Sequence, residues 1–103
     1  MRLFWTVGAR DDLVAIASYI AESNVTAARR WISRLRSQAR RATRFPRSGR
    51  VVPELQRDDV REFIFHGYRI LYLLRDKDVF VLSVFEGHRQ IQLTELDVDC
   101  ADE

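Results

Sequence analysis

Tyr68-Arg69-Ile70-Leu71-Tyr72-Leu73-Leu74, then Arg75-Asp76-Lys77-Asp78, then Val79-Phe80-Val81-Leu82-Ser83-Val84-Phe85: two almost wholly apolar runs joined by four polar residues decide the architecture of this chain. Each run has the length and the bulky, β-branched composition of a strand, and the polar quartet reads as the turn between them. Strands apolar on both faces require cover on both faces. Just upstream, Arg61 to His66 alternates in part, with Phe63 and Phe65 on one face and Ile64 on the other, and Gly67 supplies a tight turn into the next run. Charge is costly to take out of water. Arginines in or beside these strands (Arg50, Arg61 and Arg69) therefore point to an anionic partner or to a buried carboxylate.

The residues before this block read differently. Leu3-Phe4-Trp5 forms a short strand that Gly8 ends. Leu13, Ile16, Ala17 and Ile20 then fall at helical spacing, with Asp11 and Asp12 in the first turn near the positive end of the helix dipole. This helix stops around Ser23, and Asn24 caps a second one, its side-chain oxygen taking an otherwise unpaired amide. Ala28, Trp31, Ile32, Leu35, Ala39 and Ala42 make the apolar stripe of the second helix; Arg29, Arg30, Arg34, Arg36, Arg40 and Arg41 occupy its other faces. So short a link implies an antiparallel helical hairpin, which Pro46 ends. Trp5 and Trp31 are core residues in this reading. The order β-α-α-β-β-β describes an α+β domain, a helical hairpin on a small, mostly antiparallel sheet. The hairpin covers one sheet face, and the tail or a partner chain covers the other.

Size and charge set the outer limits. The 103 residues suffice for one domain, and with 47% of them apolar a folded state is expected. No apolar run approaches the ~20 residues of a membrane span, and the start of the chain lacks the pattern of a signal peptide. The single Cys100 has no internal partner, which fits a reducing cytoplasm. The net charge of +2 conceals an asymmetry: residues 1–50 hold eleven arginines against three acidic residues, net +8, and residues 51–103 hold six basic against twelve acidic, net −6. Such polarity calls for an anionic partner on the first half, or for an acidic segment folding back on it. Residues 1–90 form the domain and 91–103 an acidic tail.

Taken in order, Ala9 with Asp12-Leu13, Ile16, Tyr19-Ile20-Ala21, Asn24 with Ala27-Ala28, Phe45-Pro46, Gly49-Arg50, Pro53-Glu54, Val60-Arg61-Glu62, Tyr68-Arg69-Ile70 with Tyr72, and Gly87-His88-Arg89 resemble the toxins of the ParE/RelE superfamily, from about Trp5 to Arg89. The resemblance implies the toxin half of a bacterial type II toxin–antitoxin pair, closest to the ParE branch, with no cofactor and no metal. It implies a cognate ParD-like antitoxin as partner in a hetero-oligomer, and DNA gyrase as the target.

The RelE branch supplies a second reading, a ribosome-dependent endoribonuclease acting on mRNA. Metal-free RNA cleavage needs a base for the 2′-hydroxyl, a cation for the phosphorane and an acid for the leaving oxygen. Glu54, Arg69 and His88 would fill those roles, His88 having an ordinary pKa near ~6.5. Against this, Val60 and Glu62 stand where one RNase branch has two lysines, and no tyrosine follows His88; the chain also departs from the ParE branch, which has histidine where Glu86 stands. A third reading is a degenerate, non-toxic antitoxin-binding partner. Arg50, Arg61, Arg69, His88 and Arg89 are the expected target contacts, and Arg30, Arg34, Arg41, Phe63 and Phe65 the expected antitoxin contacts. The structural alternatives pair Glu54 with Arg50 or Arg61, and Arg69, at a strand edge, with Glu62 or Glu86.

Overall fold

The computed structural model describes residues 1–87; His88, Arg89, Cys100 and the acidic segment 91–103 lie outside the described residues. The elements are β1 (Leu3–Trp5), α1 (Val7–Ala21), α2 (Val25–Arg44), β2 (Arg50–Val51), β3 (Val60–Phe65), β4 (Tyr68–Arg75) and β5 (Asp78–Glu86). They make one five-stranded sheet in the order β1-β5-β4-β3-β2. The pairing of β1 with β5 is parallel, and the others are antiparallel. This is the expected α+β arrangement of a helical hairpin on a mostly antiparallel sheet, with a two-residue edge strand, β2, added.

The start of α1 corrects the sequence reading. Thr6 is the N-cap: its hydroxyl accepts from the Ala9 amide at 3.2 Å and donates to the Val81 carbonyl at 2.9 Å. The helix therefore begins two residues after β1, Gly8 lies inside it, and Asp11 and Asp12 fall beyond its first turn. Asp12 has a different task. Its Oδ2 accepts from Ser83 Oγ at 3.0 Å and from the Val84 amide at 2.9 Å. It thus binds α1 to β5 beside the register shift opposite Leu71 and Tyr72. Asn24 caps α2 as expected, accepting from the Ala27 amide at 2.9 Å.

The helical hairpin covers one face of the sheet. Ala28, Leu35, Ala39 and Ala42 are the buried residues of α2. Leu35 and Ala39 pack with Trp5, Ala9, Leu13, Ile70, Val81 and Val84; Ala42 packs with Phe63, Tyr72 and Val79. Trp5 is core, whereas Trp31 is half-buried, with its ring edge-on to Phe65 and His66. A separate cluster, Val60, Leu71, Leu73, Leu82 and Phe85, takes Val52 and Leu55 from the loop after β2. That loop supplies part of the second cover the apolar strands require. Both hairpin turns use consecutive left-handed residues, His66-Gly67 (φ 49° and 84°) and Asp76-Lys77 (φ 53° and 66°). These match the twist of the flanking strands.

Candidate functional site

Strand alternation brings two opposite charges to one face. Arg69 stands opposite Ile64, and Glu62 opposite Leu71, so Glu62 and Arg69 are diagonal neighbours across β3 and β4. Arg69 Nε donates to Glu62 Oε1 at 2.6 Å. The other edge of the guanidinium grips Glu54 with two parallel bonds of 2.7 Å, Nη1 to Oε2 and Nη2 to Oε1. Arg50 Nε, on β2, donates to the remaining Glu62 oxygen at 2.6 Å. The Phe85 ring lies 5.3 Å from the guanidinium carbon of Arg69.

The result is a chain of alternating charge, Arg50, Glu62, Arg69, Glu54, running from solvent into the sheet and out again. The Glu62 side chain is fully buried and that of Arg69 is 5% exposed, while that of Arg50 is 57% exposed. Neither buried charge is stable alone; each is tolerated because both its sides are engaged. Two expectations are corrected here. Arg69 is not at a strand edge but in β4, flanked on both sides by hydrogen-bonded strands. Glu54 takes Arg69, and neither Arg50 nor Arg61, as its hydrogen-bonded partner. The foreseen pairing of Arg69 with Glu62 is present.

Arg61 serves the loops. It donates to the Gly49 carbonyl at 2.9 Å, the Arg47 carbonyl at 3.2 Å and the Asp58 carboxylate at 2.6 Å. Tyr72, missed as a site residue in the sequence, fastens the same region from below. Its buried hydroxyl donates to the Pro46 carbonyl at 2.8 Å and accepts from the Gly49 amide at 3.1 Å. Burial pushes its pKa above the ordinary tyrosine value. The segment from Pro46 to Asp58 is therefore a strap, held by Tyr72, Arg61 and Arg69.

The expected antitoxin contacts divide. Arg30, Arg34 and Arg41 are exposed on α2, with Arg34 set over Trp31 at 5.9 Å and Arg41 over Phe63 at 4.7 Å. Phe63 is buried, and Phe65 is half-buried against the main core. Both belong to the face that the hairpin covers, not to an open one, because the side of the sheet on which α2 lies decides which alternate residues are inside. Of the three residues foreseen for RNA cleavage, Glu54 and Arg69 are brought together, and His88 lies outside the described residues. Among the described residues, no three His, Cys, Asp or Glu side chains are grouped to hold a metal, and no helix is long and apolar enough to cross a membrane.

The hydrogen bonds from Arg69 pull the Glu54 carboxyl down from 4.5 to about 2. A carboxylate that acidic is a poor proton acceptor near neutral pH. A depressed carboxylate contributes stability that is complete above its unfolded value and is lost as pH falls toward its folded value. For Glu54 the window runs from about 4.5 down to about 2. Asp58, Asp59 and Asp78 are lowered too, each first by an arginine hydrogen bond, so the acid limb is composite. Unfolding of the wild type and Glu54→Gln at pH 7, 4 and 2.5 is expected to give curves that converge as pH falls. A constant gap over that range would disprove the linkage.

Three comparisons bear on this arrangement. The family described as "ParE toxin of type II toxin-antitoxin system, parDE" matches residues 3–91. Among solved structures, the fold is similar to a chain of "Chromosomal ParDE TA system from P. aeruginosa". The TM-score is 0.70 at 20% identity, over 84% of this chain and 95% of that one. No curated protein sequence matches the chain.

Proposed function

The chain belongs to the ParE toxin family of type II toxin–antitoxin systems, and from that premise we propose that it arrests bacterial growth by poisoning DNA gyrase, until a cognate ParD-like antitoxin neutralises it. In this reading the toxin works by surface contact and carries out no bond chemistry of its own. The observation that carries it is the state of the Glu54–Arg69 pair. A base for RNA cleavage must be able to take a proton, and a phosphate clamp must have donors to offer. Glu54 is held strongly acidic by Arg69, and the guanidinium edges of Arg69 are spent on Glu54 and Glu62.

Arg50, half out in solvent above this chain of charges, remains as a target contact on β2, with His88 and Arg89 beyond the described residues. Arg61 and Arg69 pass from target contacts to parts of the frame. Arg30, Arg34 and Arg41 are the antitoxin contacts of the proposal, in a hetero-oligomer of toxin and antitoxin.

The test is supercoiling by purified gyrase, titrated with this chain. Inhibition is expected, together with linear DNA trapped in the cleaved state, and both are expected to be reversed by the antitoxin. Growth arrest in cells without any effect on purified gyrase would overturn the gyrase target and make the ribosome the next one to examine.

A further inference from the structure

The twenty residues of α2 carry seven arginines and no carboxylate. Arg29, Arg30, Arg40 and Arg44 have no carboxylate partner among the described residues. Like charges one turn apart repel, by roughly 0.2 to 0.5 kcal/mol a pair. Arg30–Arg34, Arg36–Arg40 and Arg40–Arg44 are such pairs. The helix dipole favours Arg41 and Arg44 in the last turn, but it does not favour Arg29 and Arg30 near the positive end. Among the described residues, no carboxylate offsets this repulsion, although Arg34 and Arg36 lie over the Trp31 and Trp5 rings.

The stripe of α2 opposite its buried residues has a particular chemistry. At 100° per residue it runs Arg30, Ser33, Ser37, Arg40, Arg41, Arg44, all exposed. Each of these side chains is a hydrogen-bond donor, and none is apolar. Near its end a hollow of about 420 Å³ is lined by Ser37, Arg40, Arg41, Thr43 and Arg44. The stripe has no apolar anchor of its own for a folding peptide, so an antitoxin held by Arg30 and Arg41 must find its anchors elsewhere, as in the apolar groove that Ser33 helps to line with Ala17, Val25, Ala28 and Ile32. A single strand is usually held by stacking its bases on aromatic rings, and the stripe has none. Guanidinium groups interleaved with hydroxyls are what a phosphodiester backbone takes. From Arg30 to Arg44 the helix spans about 21 Å at ~1.5 Å per residue.

We propose that the solvent face of α2 is a binding surface for the phosphate backbone of duplex DNA, without sequence preference. It stands independently of the gyrase reading. In gyrase poisoning it would add a contact to the DNA that the enzyme holds.

The experiment is fluorescence anisotropy of a labelled 16-base-pair duplex titrated with the purified chain, without gyrase, from 50 to 200 mM salt. Binding is expected, with a log–log salt slope of about −3 to −4 for four phosphate contacts, and with no difference between two unrelated duplex sequences. The variant Arg30→Gln/Arg40→Gln/Arg44→Gln is expected to bind about tenfold or more weakly at 50 mM salt. Its slope should be smaller by about 2 to 3, while its thermal unfolding stays cooperative at or above the wild-type temperature.

No saturable binding at 50 mM salt would overturn the proposal, as would an unchanged affinity in a folded variant. Equal competition by polyglutamate of matched charge would assign the ridge to an acidic polypeptide. Tighter binding of a single strand than of the duplex would also sink it. Because gyrase is absent, failure here leaves the supercoiling result untouched, and the converse holds as well.

Discussion

Arg69→Ala is expected to lower the unfolding free energy by about 3 to 5 kcal/mol, the largest loss we anticipate for any single substitution in this site. The reason lies in what remains. Glu62 is fully buried, and with Arg69 gone one of its two oxygens loses its donor out of reach of water. Arg50 still holds the other oxygen, but Arg50 is more than half in water and cannot follow the carboxylate inward. Glu54 loses both of its hydrogen bonds from Arg69 as well, so the strap comes loose. Denaturant unfolding at pH 7 measures the loss. A second variant separates charge burial from lost packing. Arg69→Met with Glu62→Leu replaces the buried pair by apolar groups of similar bulk and is expected to recover most of the stability. A loss below about 1 kcal/mol for Arg69→Ala would show that the buried carboxylate needs no second cation.

The second large effect comes from a methyl group. An alanine Cβ at Gly49 would overlap the Tyr72 hydroxyl and lie 2.8 Å from the Glu62 carbonyl oxygen and 3.0 Å from Tyr72 Cε1. The carbonyl is backbone in β3, paired with β2 at Arg50↔Glu62, so it cannot withdraw without opening the sheet edge. Gly49→Ala is therefore expected to cost about 2 to 3 kcal/mol, at the upper end for an added methyl in a packed site. In a Tyr72→Phe background part of that space is vacant, because the hydroxyl that fastens Pro46 and Gly49 is missing. The cost of Gly49→Ala should then shrink, with a coupling of about 1 kcal/mol between the two sites. Strict additivity of the two substitutions would show that the methyl is accommodated elsewhere.

The helical hairpin and the three long strands are legible in the sequence because their signals are local: period, turn chemistry and the Asn24 cap. The start of α1 is less so. Thr6 caps it through a hydroxyl that also needs the Val81 carbonyl, 75 residues away. Without that partner in view, Gly8 reads as the end of a strand. Two residues of β2 carry no periodic signal at all. They are a strand because Tyr72 and Arg61 hold the strap against β3.

In the site, Arg69 with Glu62 is readable as a charge pair on neighbouring strands, one turn apart in the chain. Glu54 is not, because it reaches Arg69 only after the loop folds back over the sheet face. Phe63 and Phe65 illustrate a different limit. Alternation shows that they share a face, but which face is covered depends on where α2 lies.

The parallel pairing of β1 with β5 joins residue 3 to residue 79 and residue 5 to residue 81. The hairpin α1–α2 contains only near neighbours and can form while the chain is still being made, but β1 and the Thr6 cap cannot settle until β5 exists. A contact spanning three quarters of the polypeptide is slow to close. On the ribosome, then, a nascent chain stalled or cleaved before about residue 80 can pair β2, β3 and β4 but cannot tie β1 into the sheet. Its first residues have nowhere to go. Synthesis cut short there releases a helical hairpin and a β2–β3–β4 sheet without β5, the strand that carries β1.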